Sequence, residues 1–577
     1  MSNEPVSTIL SAEKYLPDID DQTHIKLGKV CAMKKTWRSL ALAAVLFSLH
    51  GCTQPHTAGG NTSPNPGQAA VQKRPSFVTT APVIEAKEGT RSAGSISQTT
   101  GSAFSPGNQQ WSSNSSDPSP QDSEYLAAFM NPLSTFSADV DTASYSILRR
   151  SLMAGQLPQP ENVRVEEMLN YFTYDLPEPD GDRPFSVTSE ISNAPWNPEA
   201  QILRLAIKTQ AIEAYERPPC NLVFLLDVSG SMGAPDKLPL LKKSLKTLVD
   251  SLDDTDRIAI VTYAGGSGLV LPSTSAAESA KILGVIDELA AGGSTYGASG
   301  LELAYQVAQE SRSETTVNRV LLCTDGDFNV GPSSPDALKE LIEQKRDTGL
   351  FLSVLGFGHN TNDKIMETLA DNGNGNYASI DSLTEARKVL VEEAGATLVT
   401  VAKDVKFQVA FNPKLVERYR LIGYENRRLA TEDFDNDTKD AGDLGAGHAV
   451  TALYEIIPPK SSVTNLGETF EKISGEKPGE NQLAVVKLRY KAPNNDRSEL
   501  LEVAVPSSVR ELAKASTDHR WAVAVTEFGM HLSDRKAGEK RNLSDIYTLA
   551  EGAVGTNDDS YRLEFLQLVE AAQSISG

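Results

Sequence analysis

Four short apolar runs limit what this chain can fold into. NLVFLLD (221–227), RIAIVTY (257–263), RVLLCTD (319–325) and LFLSVLGFG (350–358) are each the length of one strand and apolar on both faces. Amphipathic helical patterns separate them. Over 237–252, Leu238, Leu241, Leu245, Leu248 and Leu252 form one stripe of a helix. Strands apolar on both faces, alternating with helices, specify a parallel sheet covered on both sides. Residues 218–398 are therefore expected to form an α/β doubly wound, Rossmann-like domain.

The flanks alternate with period two instead. FSVTSEIS (185–192) and ILRLAIKT (202–209) precede the α/β region. After it, Val405, Phe407, Val409 and Phe411 alternate with Lys406 and Gln408, as in a half-buried strand. Val450 to Ile456 and Val486 to Tyr490 repeat the pattern. Strands of one kind on both sides imply a flanking antiparallel β-sandwich that the α/β domain interrupts. Residues 123–210 read as a helical region plus the first strands, 400–507 as a β-rich domain and 508–577 as C-terminal helices packing back onto the body. Asp141 or Thr142 is placed to cap the first helix, through Leu152; a second carries Val165, Met168, Leu169 and Phe172.

Residues 1–52 look like an address. In MKKTWRSLALAAVLFSLHGC (33–52), Lys34, Lys35 and Arg38 precede a predominantly apolar run of ten residues, Leu40 to Leu49, the length of a signal peptide and too short for a bilayer span. The stretch ends in LHGC, which resembles the lipobox of bacterial lipoproteins and marks Cys52 as the lipid attachment site. Residues 1–32 are polar and carry acids, so Met33 fits the start of such a peptide better than Met1. Residues 53–122, rich in Ser, Thr, Pro, Gly, Gln and Asn, read as a disordered tether. The expected location is the cell envelope, with a membrane lipid anchor. Thr53 after the cysteine favours the outer membrane, because the aspartate associated with inner-membrane retention is not there.

In a doubly wound sheet, ligands sit beyond the carboxyl ends of the strands. FLLDVSGSMG (224–233) places Asp227, Ser229 and Ser231 just past one such end. GGSTYG (292–297) brings Thr295 on a glycine-rich turn, and CTDGDFN (323–329) brings Asp325. Two carboxylates and three hydroxyls are hard oxygen donors suited to Mg²⁺, which takes about six oxygens near 2.1 Å and usually keeps some waters. Mn²⁺ and Ca²⁺ are the other candidates. The net charge of −22 disfavours nucleic acid as a partner but not a divalent cation.

These residues resemble the metal-ion-dependent adhesion site of von Willebrand factor type A domains. The D-x-S-x-S motif matches Asp227, Ser229 and Ser231, the threonine of a second loop matches Thr295, and the aspartate of a third matches Asp325. NPLSTFSADVDTASYS, VRVEEMLNYF, TDGDFNVG and RLIGYENR are similar to a bacterial lipoprotein subgroup that adds characteristic N- and C-terminal flanking regions to that domain. The resemblance implies that Ser229 and Ser231 bind the metal directly. Asp227 and Asp325 hold it partly through water, and Thr295 joins directly or through water. It implies an open position for an Asp or Glu carboxylate of a protein partner, with the loops AGGSGL (264–269) and DFNVGPSS (327–334) around it.

An envelope metal-dependent hydrolase is the rival reading, but no G-x-S-x-G or H-E-x-x-H occurs and no general base adjoins the site in sequence, so no enzyme is expected. An accessory subunit of an ATPase would require that the chain is not exported. EDFDNDTKDAGD (432–443) spaces its acids like a calcium loop, but Thr438 and Leu444 stand where glycine and glutamate are needed, so a solvated loop is expected. Cys220 and Cys323 are expected to be free, buried thiols: with Asp227 and Asp325 at one level, five residues of strand, about 16 Å, separate them.

Overall fold

The computed structural model describes residues 125–577, except 139–140, 182, 213–216, 295–296, 327–334, 360–361, 394–398, 440, 461–469, 472–478, 494, 496, 534–541, 556–558 and 577. The expected signal peptide with Cys52, the expected tether, Thr295 and residues 327–334 lie outside the described residues. No described helix is long and apolar enough to cross a membrane.

The chain enters through strands β1 (Leu126–Ala127) and β2 (Leu133–Ser137), helices α1 (Ala143–Met153) and α2 (Val165–Asn170), and strands β3 (Phe185–Asn193) and β4 (Gln201–Thr209). Thr142 is the N-cap of α1 and makes no side-chain capping bond. Asp141 is not the cap: its Oδ1 accepts from the Tyr377 amide at 2.9 Å, so a cross-domain contact takes the carboxylate that capping would have used.

The α/β sheet follows. Its strands are β5 (Cys220–Asp227), β6 (Arg257–Tyr263), β7 (Ser267–Ser275), β8 (Val317–Thr324), β9 (Phe351–Phe357) and β10 (Tyr377–Ile380). They lie in the order β10-β9-β8-β5-β6-β7. All neighbours are parallel except β7, an antiparallel edge strand beside β6. Part of 264–269, read from sequence as a loop, thus belongs to a hairpin, because Ser267 to Leu269 pair with Val261 to Tyr263. Helices α3 (Leu238–Val249), α4 (Ser279–Glu288), α5 (Gly297–Glu310), α6 (Pro335–Arg346), α7 (Asp363–Asn372) and α8 (Leu383–Arg387) cover the two faces. Every residue of β5 is buried. Leu222, Phe224 and Leu226 face Leu241, Leu245 and Leu248 of α3, while Val223 and Leu225 face Leu301, Ala304 and Tyr305 of α5. The chain leaves β5 for β6 on one side and later reaches β8 on the other, so a topological switch point lies at the end of β5.

The remaining strands are β11 (Thr400–Phe411), β12 (Arg418–Ile422), β13 (Leu444–Gly445), β14 (Ala449–Ile457), β15 (Gln482–Lys491), β16 (Ser498–Pro506) and β17 (Val509–Arg510). One sheet runs β1-β12-β14-β4-β3-β17; the other runs β13-β11-β15-β16, with β2 also on β11. Strands from both sides of the α/β insertion therefore share one sandwich. Leu203, Leu205, Tyr454 and Ile456 meet Phe136, Phe407, Val409 and Phe411 in its core, and the Phe411 and Tyr419 rings stack at 4.2 Å. The alternation around Lys406 and Gln408 misleads. Both are buried, at 2% and 6% exposure, because β11 lies between β2 and β15 with the 431–436 turn across its second face. Lys406 Nζ donates to the Asn436 carbonyl there, and Gln408 Nε2 to Thr135 Oγ1.

Helices α9 (Thr517–Ser533), α10 (Leu543–Glu551) and α11 (Ser560–Ser576) complete the molecule. With α1 and α2 they form a layer on the outer face of the first sheet, where Trp521, Val525 and Phe528 pack with Ile202, Leu453 and Ile457. Two arginines tie the layers to the α/β domain. Arg149 of α1 reaches Asp381 and Glu385 beside β10 and Glu564 of α11, at 2.9, 2.8 and 2.9 Å. Arg427 of the sandwich reaches Asp141, Glu367 and Asp371 at 3.0–3.1 Å. Cys220 and Cys323 are free and buried. Leu226 pairs with Cys323, so the thiols lie six strand residues apart, one more than the common level of the two aspartates implied.

Removing one member of a buried ion cluster costs about 3–5 kcal/mol, because the remaining charges stay buried. Arg149→Ala is therefore expected to lower stability by that amount. Calorimetric unfolding checks it, and a variant melting with the wild type would show that the cluster does not hold the layers together.

Candidate metal centre

The end of β5 presents Asp227 with no exposed surface. Its Oδ1 accepts from the Ser229 amide at 2.9 Å; its Oδ2 accepts from Tyr263 Oη at 3.1 Å and Thr324 Oγ1 at 3.3 Å. Both oxygens are thus oriented by donors from three segments: its own loop, β6 and β8. Burial pushes the Asp227 carboxyl above its usual range, the charge of Asp325 pushes the same way, and the bonds from Ser229 and Tyr263 offset part of this. The Tyr263 phenol is pushed well up by burial and then by Asp227.

Ser229 is extended, and Gly230–Gly233 then makes a single tight turn. This geometry brings Ser229 Oγ and Ser231 Oγ to 2.9 Å. Neighbouring ligands of an octahedral ion with bonds near 2.1 Å lie about 3.0 Å apart, so the hydroxyl pair matches one edge of such a shell. Ser229 is buried and Ser231 exposed, which opens the site toward solvent. The glycine-rich turn is pinned against this loop by Gly292 N to Val228 O at 2.8 Å and Gly230 N to Gly293 O at 3.1 Å. Gly293 has φ +90°, and a Cβ there would sit 3.2 Å from the Gly265 amide nitrogen. Only glycine suits both the conformation and the approach.

Asp325 follows β8 and is 4% exposed. Lys237 Nζ, at the start of α3, lies 2.8 Å from its Oδ2. The lysine stem runs over Gly358, where a Cβ would come within 2.6 Å of Lys237 Cε. A positive charge therefore already stands beside the second carboxylate. Of the five residues expected at the site, Asp227, Ser229 and Ser231 form one hydrogen-bonded set, and Asp325 lies close enough for its charge to act on Asp227. Thr295 lies outside the described residues.

Two buried carboxylates and two converging hydroxyls fit a divalent cation, which would replace the Lys237 charge beside Asp325. Asp227, Ser229, Ser231 and Asp325 are the described residues that would hold it, and when bound it would supply an electrophilic centre for an anionic oxygen. Sequence reasoning missed Tyr263, Thr324 and Lys237. The first two could have been found by aligning the strand ends, since Asp227 pairs with Tyr263 and Thr324 comes one residue after the partner of Leu226.

This sheet order, with a metal-type donor set at its switch point, defines a von Willebrand factor type A domain, and the family model of that name matches residues 221–392. A second von Willebrand factor model matches 116–204, and the model described as "Uncharacterized protein YfbK, C-terminal" matches 396–575. The chain is 42% identical over 456 residues to the uncharacterized protein YfbK of Escherichia coli (strain K12), covering 77% of this chain and 79% of that one. It belongs to the YfbK family of von Willebrand type A proteins. It is also 25% identical to the uncharacterized protein sll0103 of Synechocystis over 53% of this chain and 70% of the other. Among solved structures, a von Willebrand factor type A protein from Catenulispora acidiphila is 18% identical, with a TM-score of 0.38 over 66% of this chain and 88% of that one.

Tyr263→Phe removes a hydrogen bond onto a buried carboxylate, worth about 1.5–3 kcal/mol. Groups that orient a metal ligand typically contribute about 10–100-fold in metal affinity. The variant should lose both, read by urea unfolding and by Mn²⁺ calorimetry. Unchanged values in both would remove Tyr263 from the site.

Proposed function

We propose that this protein is an exported, lipid-anchored binding module that captures a carboxylate of a protein partner through a divalent cation. Asp227, Ser229, Ser231, Thr295 and Asp325 hold the ion, Mg²⁺ in the first instance, with Mn²⁺ and Ca²⁺ as alternatives. The observation that carries this reading is the pair of serine hydroxyls 2.9 Å apart, one exposed, above the buried Asp227. Buried aspartates anchor the floor, and the open side is left for a ligand. Few protein charges neutralise the ion, which favours an anionic ligand. No catalysis is assigned. His359 pairs with Asp236 at 3.3 Å, and His519 is buried against Ser192.

Calorimetry of the full chain should show saturable Mg²⁺ or Mn²⁺ binding that Asp227→Ala abolishes. A pull-down from envelope extract should then capture partners with the metal and release them with EDTA. Metal binding that survives in Asp227→Ala would refute the assignment, and turnover lost in the same variant would favour a hydrolase. For the anchor, Cys52→Ser should move the protein from the detergent phase to the aqueous phase in a Triton X-114 partition. Equal partitioning of the two forms would exclude lipidation at Cys52.

A further inference from the structure

A cavity of about 930 Å³ opens between β3, β4 and the N-terminal ends of α9 and α11. None of its lining residues belongs to the α/β sheet or its covering helices, so it is separate from the metal centre. Arg204 of β4 lines its wall and is only 6% exposed. Its Nε and Nη1 have no hydrogen-bond partner among the described residues.

Arg319 is a parallel, buried with Ser353 Oγ as a hydrogen-bond partner and its Nε also without one among the described residues, but it does not line this cavity. The arginines tied into ion clusters differ. Arg149 and Arg427 each meet three carboxylates, and Arg562 meets Asp518 and two backbone carbonyls. The acids whose field reaches Arg204 are engaged elsewhere. Asp518 accepts from Arg562 at 2.9 Å and from the Asp175 amide at 2.7 Å; Glu190 accepts from the Ser516 amide at 2.9 Å. What Arg204 does have is the Tyr174 ring, 5.6 Å from its guanidinium carbon. A ring contact contributes about 0.5–2 kcal/mol. Burying a charge costs several kcal/mol even after relaxation. The ring and the fields of Asp518 and of Glu190, which stands opposite Arg204 across β3 and β4, offset part of this cost but give Nε and Nη1 no acceptor among the described residues, and burial pulls the Arg204 pKa down.

We propose that this cavity binds an oxyanion, a carboxylate or phosphate group carried by a small polar molecule, with Arg204 as its charged partner. The volume lies within the usual range for small-molecule sites, roughly 300–1,000 Å³. Ser508 and Thr517 line the same cavity and add hydroxyls. Asp175, Glu190, Asp518 and Asp559 line it with Arg204, Arg510 and Arg562, so carboxylates outnumber arginines by one, which disfavours a polyanion and selects a ligand with a single anionic group.

The test is calorimetry of the full chain with inorganic phosphate and, separately, with acetate, at constant ionic strength and with EDTA present to exclude metal-bound anion. Saturable binding of at least one anion is expected. Phosphate alone would point to a phosphorylated ligand, acetate alone to a carboxylate. Arg204→Gln should weaken the binding at least about tenfold. Arg204→Lys, which keeps the charge but loses the planar fork, should weaken it less and serves if the Gln variant does not fold. No saturable binding of either anion to the wild type would overturn the proposal. So would wild-type affinity in an Arg204 variant that folds.

Discussion

The burial of Asp227 is the constraint on which the site depends. A carboxylate with no exposed surface is costly unless its oxygens are satisfied. Here the donors come from the loop after β5, from Tyr263 at the end of β6 and from Thr324 at the end of β8. Those are the three central strands, so one carboxylate is satisfied only when all three are in register. Sliding β6 or β8 by one residue would turn Tyr263 or Thr324 to the opposite face and leave Asp227 buried and short of partners. The same bonds fix the level at which Ser229 and Ser231 emerge.

Charge is distributed around this point by elements far apart in sequence. Lys237 faces Asp325, and Arg150 Nη1 of α1 donates to the carbonyl of Gly358, the residue over which the Lys237 stem runs. Arg149, one residue earlier, joins α1 to the segment after β10 and to α11. The flanking helices are thereby in direct contact with the residues that support the candidate metal centre, as well as with the sandwich.

The fold was legible in the sequence wherever one face or both faces of an element had a uniform environment. The runs 221–227 and 319–325 announce buried parallel strands, and Leu238, Leu241, Leu245 and Leu248 announce a helix stripe. Alternation failed at Lys406 and Gln408 because a turn more than twenty residues later covers their face, which no local pattern records. The acids of 432–443 were read as a solvated loop, and Glu432, Asp435 and Asp437 are exposed; the pairing of Asp435 and Asp437 with Arg489 of β15 is visible only after folding. The grouping of Asp227, Ser229, Ser231 and Asp325 was legible because their types and order along the chain resemble a known pattern, while Thr295 lies outside the described residues. Tyr263, Thr324 and Lys237 were not, because their roles arise from cross-strand register and from a lysine reaching over from the next helix. Arg204 was hidden for the same reason: ILRLAIKT reads as an ordinary alternating strand, and only the packing of α9 and α11 encloses its polar face.

The most direct test of the central claim is a crystal structure of the protein grown with Mn²⁺, with the ion located by its anomalous scattering. The account predicts one strong peak within about 2.1–2.3 Å of both Ser229 Oγ and Ser231 Oγ, with Lys237 withdrawn from Asp325. A peak elsewhere, or none at this position with Lys237 still on Asp325 under saturating Mn²⁺, would contradict it.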